Sequence, residues 1–164
     1  MTPFLSLWAR IPAIGISDIE GALYAERDVL RLFGMRRTLW VVPRDVADDM
    51  DAACTRKIAE QQRRRILGYM ERGGWEGDSI EWLEDVEHRV MTVLDASPEP
   101  MTGRQLSEAV PELRRKVRIG PGEAGMTTRV LFLLAADCRV TRVRPVGTWI
   151  SSQYGWMPFE RWAG

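Results

Sequence analysis

Apolar residues recur at helical spacing in three segments of the second half of the chain. The first segment follows Asp78, and its apolar stripe consists of Leu83, Val86, Val90, Val93 and Leu94. The second follows Thr102, which together with Gln105 fits the S/T-x-x-E/Q pattern of a capping box. The third runs from Met126 to Cys138. The pattern therefore predicts three helices between residues 78 and 138.

Strand-like alternation follows the third helix. Polar and apolar residues alternate from Arg139 to Arg144, a break follows at Pro145 to Gly147, and Thr148 to Ile150 return to β-favouring residues. This pattern predicts a β-hairpin. Three helices followed by a hairpin is the order of a winged helix-turn-helix, a frequent DNA-binding module. The predicted fold class is therefore mainly α with small β-hairpins, an α+β protein built from winged helix-turn-helix units.

The first third of the chain repeats the helix-then-hairpin order. Ser17 to Glu20 fits a capping box, and two β-type runs, Val29 to Phe33 and Thr38 to Val42, flank the next turn. A helical stretch with an interruption follows from Pro43 to Arg72. We therefore predict tandem units: a partial winged-helix unit over residues 1–44, a helical linker over 45–75 and a winged-helix domain over 76–164.

The first unit begins with only about two turns of helix before Pro12. We therefore expect the chain to be a truncated form that lacks residues its relatives carry at this end. A second copy of the chain or a partner chain could complete the unit.

Composition narrows the functional classes. The 164 residues are 45% hydrophobic and 28% charged, which is typical of a globular protein, and no window approaches the ~20 apolar residues of a membrane span. No secretory signal is visible, so we expect a cytoplasmic, nucleoid-associated protein without a membrane partner. Cys54 and Cys138 lack metal-ligand spacing, so we expect reduced cysteines, no metal and no cofactor.

The net charge is zero, but its distribution is uneven. Residues 76–100 carry one basic and eight acidic side chains, whereas residues 101–164 carry ten basic and five acidic ones. Positive charge is thus concentrated in the predicted winged helix, which favours phosphate as a partner. The acidic block is typical of a solvated helix face near a helix start.

Seven residues are candidates for DNA contact. They are Arg36, Arg37, Thr127, Thr128, Arg129, Arg142 and Arg144. The two threonines and Arg129 open the proposed recognition helix, where free N–H groups favour phosphate or base contact, although a plain capping role is the alternative. Arg142 and Arg144 alternate with Val143, so both should point to one face of the wing, where edge arginines can also serve only to prevent aggregation.

No catalytic residue stands out. The chain has no visible pairing of a nucleophile with a base, and His88 is expected to be a surface histidine. Most of the seven tryptophans, Trp40 among them, are better explained as core residues than as base-stacking platforms. The run from Gln61 to Arg65 is compatible either with a solvated face or with phosphate contact.

The stretch from Val29 to Val46 resembles a family signature. It is similar to the R-G-T-L-H segment, followed by V-P, of winged helix DNA-binding domain-containing proteins that include the AlkZ/YcaQ-like DNA glycosylases, which unhook interstrand crosslinks. The likeness continues through Met101 to Leu106 and the tail Phe159 to Trp162. The chain has Arg37 and Trp40 where the family usually has Gly and His.

The resemblance implies a DNA-binding architecture of tandem winged helices. The glycosylase motif, two Gln (or Gln and Asp) separated by one hydrophobic residue, is absent from this sequence. We therefore expect a DNA-binding protein that recognises the backbone and shape of duplex DNA. The alternatives are a fragment or relative of a glycosylase acting on crosslinked or alkylated bases, and a winged helix that binds another protein.

Overall fold

The computed structural model describes residues 2 to 164, with side chains described from Phe4 onward. It is 57% helical and contains small antiparallel sheets, so the predicted α+β class is confirmed. No helix within residues 2 to 164 combines the length and the apolarity needed to cross a bilayer.

The first third contains short helices followed by a two-stranded sheet. Its elements are α1 (Thr2–Trp8), α2 (Ile16–Glu20), a π-helical turn (Gly21–Ala25), β1 (Val29–Gly34) and β2 (Thr38–Pro43). The two strands pair antiparallel, with Leu32 opposite Trp40. The predicted helix and hairpin are therefore present in this segment.

The predicted cap at Ser17 is wrong. The N-cap of α2 is Gly15, whose backbone N–H donates to the Asp18 carboxylate at 2.8 Å. A carboxylate that reaches back in this way satisfies a donor that the helix itself leaves unpaired, so the helix starts two residues earlier than the pattern indicated.

The middle of the chain is helical, with the predicted interruption. Its elements are α3 (Ala47–Met50), a π-helical turn (Asp51–Thr55), α4 (Arg56–Arg72) and α5 (Ser79–Ala96). Asp78 caps α5 as expected, because its carboxylate accepts from the N–H groups of Ile80 and Glu81 at 2.8 and 3.1 Å.

The last third contains the remaining elements. They are β3 (Met101–Thr102), α6 (Gly103–Ala109), β4 (Lys116–Ile119), β5 (Gly122–Gly125), α7 (Met126–Ala136), β6 (Val140–Pro145), β7 (Tyr154–Pro158) and α8 (Phe159–Ala163). Thr102 and Gln105 form the expected capping box. Strands β4 and β5 form a hairpin between α6 and α7, where the sequence analysis predicted no strand.

The predicted position of the second strand of the wing is wrong. Thr148 to Ile150 lie in a turn, and the strand that pairs with β6 is β7, which also pairs with β3. Gly155 and Pro158 weakened the strand signal of β7. Gly155 is needed there, because a Cβ atom would lie 2.8 Å from Pro100 and 2.9 Å from Val143.

The main core joins α4, α5, α6, α7 and the β6–β7 pair. Its fully buried side chains include Met70, Leu83, Leu106 and Leu134. A smaller cluster attaches β1 to α7 through the Phe33 and Phe132 rings, whose centroids are 4.3 Å apart.

A buried hydroxyl also ties the first hairpin to α4. The Thr55 hydroxyl donates to the Phe33 carbonyl at 2.7 Å. The turn between β1 and β2 is therefore held beside α4 and α7.

Candidate functional site

A cleft of about 350 Å³ lies where the β1–β2 turn, α4 and the first turns of α7 meet. Its lining residues are Arg36, Arg37, Gln62, Ile66, Arg65, Tyr69, Thr128, Arg129 and Phe132. Four of these residues are arginines and none is acidic. We refer to this site as the arginine cleft. Clustered cations without a counter-ion create a positive potential that attracts anions.

The turn between β1 and β2 places Arg36 and Arg37 at the mouth of the cleft. Both residues adopt left-handed backbone conformations, with φ of 58° and 59°. A non-glycine residue in this region costs on the order of 1 kcal/mol. Gly34 precedes the turn and packs closely against the Trp40 ring. A Cβ atom at this position would lie 2.7 Å from that ring, so a larger residue would not fit.

Tyr69 is the centre of the cleft wall formed by α4. The guanidinium carbons of Arg65, Arg72 and Arg129 lie 5.4, 5.6 and 6.0 Å from its ring centroid. Arg65 Nε also donates to the Tyr69 hydroxyl. An aromatic face attracts a guanidinium without neutralising it, so these contacts orient the cations and leave their charge available to a ligand.

The first turn of α7 forms the opposite wall. Gly125 is its N-cap and supplies no side-chain cap, while Arg129 Nη1 donates to the Gly125 carbonyl at 3.0 Å. Thr127 Oγ1 donates to the Leu113 carbonyl at 2.9 Å, so the hydrogen of this hydroxyl is used in a contact within the protein. Thr128 and Arg129 are the two predicted residues of this turn that line the cleft.

Arg142 and Arg144 lie outside the arginine cleft. The pairing of β6 with β7 shifts register between Arg142 and Pro145, which breaks the alternation along β6. Arg142 is half-buried against Tyr154 and Trp156, whereas Arg144 pairs with Glu20 on another surface. The expectation that the two arginines share one face is wrong for this reason.

Arg65 was considered only as one member of the run from Gln61 to Arg65, and Tyr69 was not among the predicted contact residues. The available signal was the spacing of Arg65, Tyr69 and Arg72, which are four and three residues apart and therefore share one face of α4. The expectation of a core tryptophan at position 40 is also wrong, because Trp40 is 41% exposed on the outside of β2.

The basic run at Gln61 to Arg65 divides between two environments. Arg65 lines the arginine cleft, but Arg63 donates to the buried Glu87 carboxylate at 2.8 Å. Arg139 donates to the same carboxylate oxygen at 3.0 Å. This buried ion cluster, made of Arg63, Glu87 and Arg139, links α4, α5 and the start of β6.

The side chains that line the arginine cleft are basic, polar or apolar. Among the described residues, no Asp, Glu, His or Cys side chain lines it. Outside the cleft, burial raises the pKa of the Cys138 thiol to about 12 and lowers the pKa of Arg142. No group of three His, Cys, Asp or Glu side chains within the described part of the chain is arranged to hold a metal ion.

Comparison with known proteins relates the chain to proteins that act on DNA. No curated protein and no solved structure matches it. The model of the AlkZ-like DNA glycosylase family matches residues 1–164. This chain therefore belongs to the AlkZ-like DNA glycosylase family.

Proposed function

We propose that this protein binds double-stranded DNA through the arginine cleft and recognises the phosphate backbone and the shape of the duplex. The observation that carries the proposal is the convergence of four arginines on one cleft without an acidic side chain. Membership of a DNA glycosylase family supports the same partner.

The chemistry of the cleft favours phosphate over bases. Guanidinium groups bind phosphate oxygens with two parallel hydrogen bonds, and the stacking on Tyr69 orients them for this geometry. Helix α7 offers few side chains that could read a base edge, because Leu131, Leu133 and Leu134 are buried. Contacts of this kind position DNA without specifying its sequence.

Of the predicted contact residues, we assign Arg36, Arg37, Thr128 and Arg129 to the phosphate contacts. Thr127 acts indirectly, through its bond to the Leu113 carbonyl. The division into a partial unit at 1–44, a linker at 45–75 and a winged helix at 76–164 remains our proposal. The order α5, α6, α7, β6 and β7, with β3 added to the sheet, supports the last unit.

The test is fluorescence anisotropy with a labelled random duplex over a range of salt concentrations. Each neutralised phosphate contributes a slope of about −0.9 to log K against log salt. The triple variant R36A/R37A/R129A should bind more weakly with a shallower slope. R64A is the control for the loss of one charge outside the cleft, because Arg64 is exposed on α4 and does not line the cleft, so its change in slope should be less than about one third of that of the triple variant. Duplex affinity that does not depend on salt concentration, or that is the same in the triple variant and the wild type, would contradict the proposal.

Base excision is a second candidate, which the family match favours. In this case the cleft would hold an alkylated or crosslinked duplex during cleavage of the bond between base and sugar. Incubation with an alkylated duplex, followed by detection of abasic sites through alkaline strand cleavage, tests it. More abasic sites with the wild-type chain than with a heat-inactivated sample would support excision. Equal numbers of abasic sites would contradict it.

A further inference from the structure

A second groove of about 410 Å³ adjoins the arginine cleft across the first turn of α7. Its lining residues include Thr128, Arg142, Gln153, Tyr154 and Trp156. We call it the aromatic groove. No acidic side chain lines it, and Thr128 lines both sites. A ligand that follows the surface of α7 can therefore pass directly from one site to the other.

Arg142 is the most unusual side chain of the aromatic groove. Its guanidinium carbon lies 5.2 Å from the Tyr154 ring centroid and 5.0 Å from that of Trp156. Its Nε is buried without a hydrogen-bond partner, and no carboxylate among the described residues forms an ion pair with it. Burial lowers its pKa because the cation is desolvated. A bound anion would compensate for that loss.

We propose, resting on the proposed function, that the aromatic groove binds unpaired nucleotides of the DNA held in the arginine cleft. The base stacks on Tyr154 and the Arg142 guanidinium, while its phosphate lies near Arg142 and Thr128. Arginine and aromatic faces together are the usual platform for single-stranded nucleic acid. The groove volume is within the range of small-ligand sites, about 300–1,000 Å³, which is enough for a single nucleotide.

The test compares three labelled DNA molecules of one duplex sequence. One has flush ends, one carries a three-nucleotide single-stranded tail, and one carries a tail of abasic phosphates. For the wild-type chain we expect the nucleotide tail to raise affinity about tenfold over the flush duplex. The abasic tail should give a smaller gain, because it supplies phosphates without bases.

The variants are Q153E and T148E. Both residues are exposed in the segment between β6 and β7, but only Gln153 lines the groove. The negative charge of Q153E should remove most of the gain from the tail and leave affinity for the flush duplex within about twofold of wild type. T148E should keep the gain. A second variant, Y154L, should reduce the gain from the nucleotide tail more than the gain from the abasic tail.

The outcomes separate this inference from the proposed function. If the flush duplex binds but the nucleotide tail gives no gain, or Q153E keeps the gain, the groove proposal is wrong and the cleft proposal stands. If the flush duplex does not bind, the cleft proposal fails. The groove proposal then survives only if a short single strand binds alone and Q153E, but not T148E, weakens that binding.

Discussion

Two arginine clusters share helix α4, and they differ in whether a carboxylate lies among them. In the buried ion cluster, Arg63 and Arg139 both donate to Glu87, whose side chain is only 4% exposed. In the arginine cleft, Arg65 and Arg129 surround Tyr69 and meet no acidic side chain. Helix α4 contributes Arg63 to one cluster and Arg65 to the other, whereas Arg129 lies on α7 and Arg139 lies between α7 and β6.

The difference shows how the same residue type serves the fold in one place and a ligand in the other. A guanidinium paired with a carboxylate inside the protein is largely neutralised by that carboxylate. Such a pair holds two elements together and attracts a ligand only weakly. A guanidinium stacked on a ring keeps its charge and its outward N–H donors. Arg63 and Arg65 are two positions apart on α4, so they point to different sides of the helix.

The largest expected effect comes from removal of the shared carboxylate. We expect E87A to lower the free energy of unfolding by about 2 kcal/mol, because it leaves two cations without their partner. A fully buried pair would cost more, but the Arg63 and Arg139 side chains are 35% and 37% exposed, so water compensates in part. Urea denaturation followed by circular dichroism measures the change.

E84A is the matched control for this substitution. Glu84 lies one turn away on α5, is exposed and forms no ion pair with the described residues, so its loss should change stability by less than about 0.5 kcal/mol. DNA affinity of folded E87A should stay near that of wild type. Equal stability of E87A and wild type would show that the buried ion cluster does not hold α4, α5 and β6 together.

The arginine cleft is tested by a pair of neighbours on α4. We expect R65A to lower duplex affinity about tenfold at low salt with little effect on stability, because one oriented phosphate contact is lost. R64A removes the same charge from a residue outside the cleft and should lower affinity by less than about threefold. Anisotropy titration measures both. Equal losses would mean that general charge, and not the cleft, attracts DNA.

These two clusters also mark what could be predicted from the sequence. Periodicity and caps predicted the α+β class and most helices, because Asp78, Thr102 and the apolar stripes are local signals. The run at Gln61 to Arg65 carried no information about which arginine meets Glu87, since that pairing joins residues 24 positions apart. Local patterns do not report such contacts.

The candidate site was predicted in part. Arg36, Arg37, Thr128 and Arg129 were singled out, and the structure brings them together. Arg142 and Arg144 were expected on one face, but a register shift in β6 separates them, and a shift of this kind has no fixed sequence signature. Strand β7 was missed because its glycine, needed for close packing, resembles a loop residue.

The hairpin turn gives a smaller effect, with opposite signs for stability and binding. Arg37 has φ of 59°, which glycine adopts without strain. We expect R37G to raise the free energy of unfolding by about 1 kcal/mol and to weaken duplex binding. R37A is the control, because it loses the same charge but keeps the strain. It should bind as weakly as R37G without the gain in stability. Tighter binding by either variant would remove Arg37 from the proposed interface.

The smallest effect concerns Cys138, because the rise in its thiol pKa caused by burial and Asp51 is opposed only in part by Arg56. Its sulfur lies 3.9 Å from an Asp51 carboxylate oxygen, and burial and that charge raise its pKa to about 12. In the unfolded chain a thiol has a pKa of about 8.5, so the unfolded state loses its proton first as pH rises. This contribution to stability is therefore complete below about pH 8.5 and falls toward pH 12.

The Cys138 thiol is partly exposed, so we expect a loss of about 0.7 kcal/mol by pH 9.5. C138A should show a shallower decline of unfolding free energy between pH 8 and 9.5 than wild type. The same decline in both proteins would show that the thiol does not contribute.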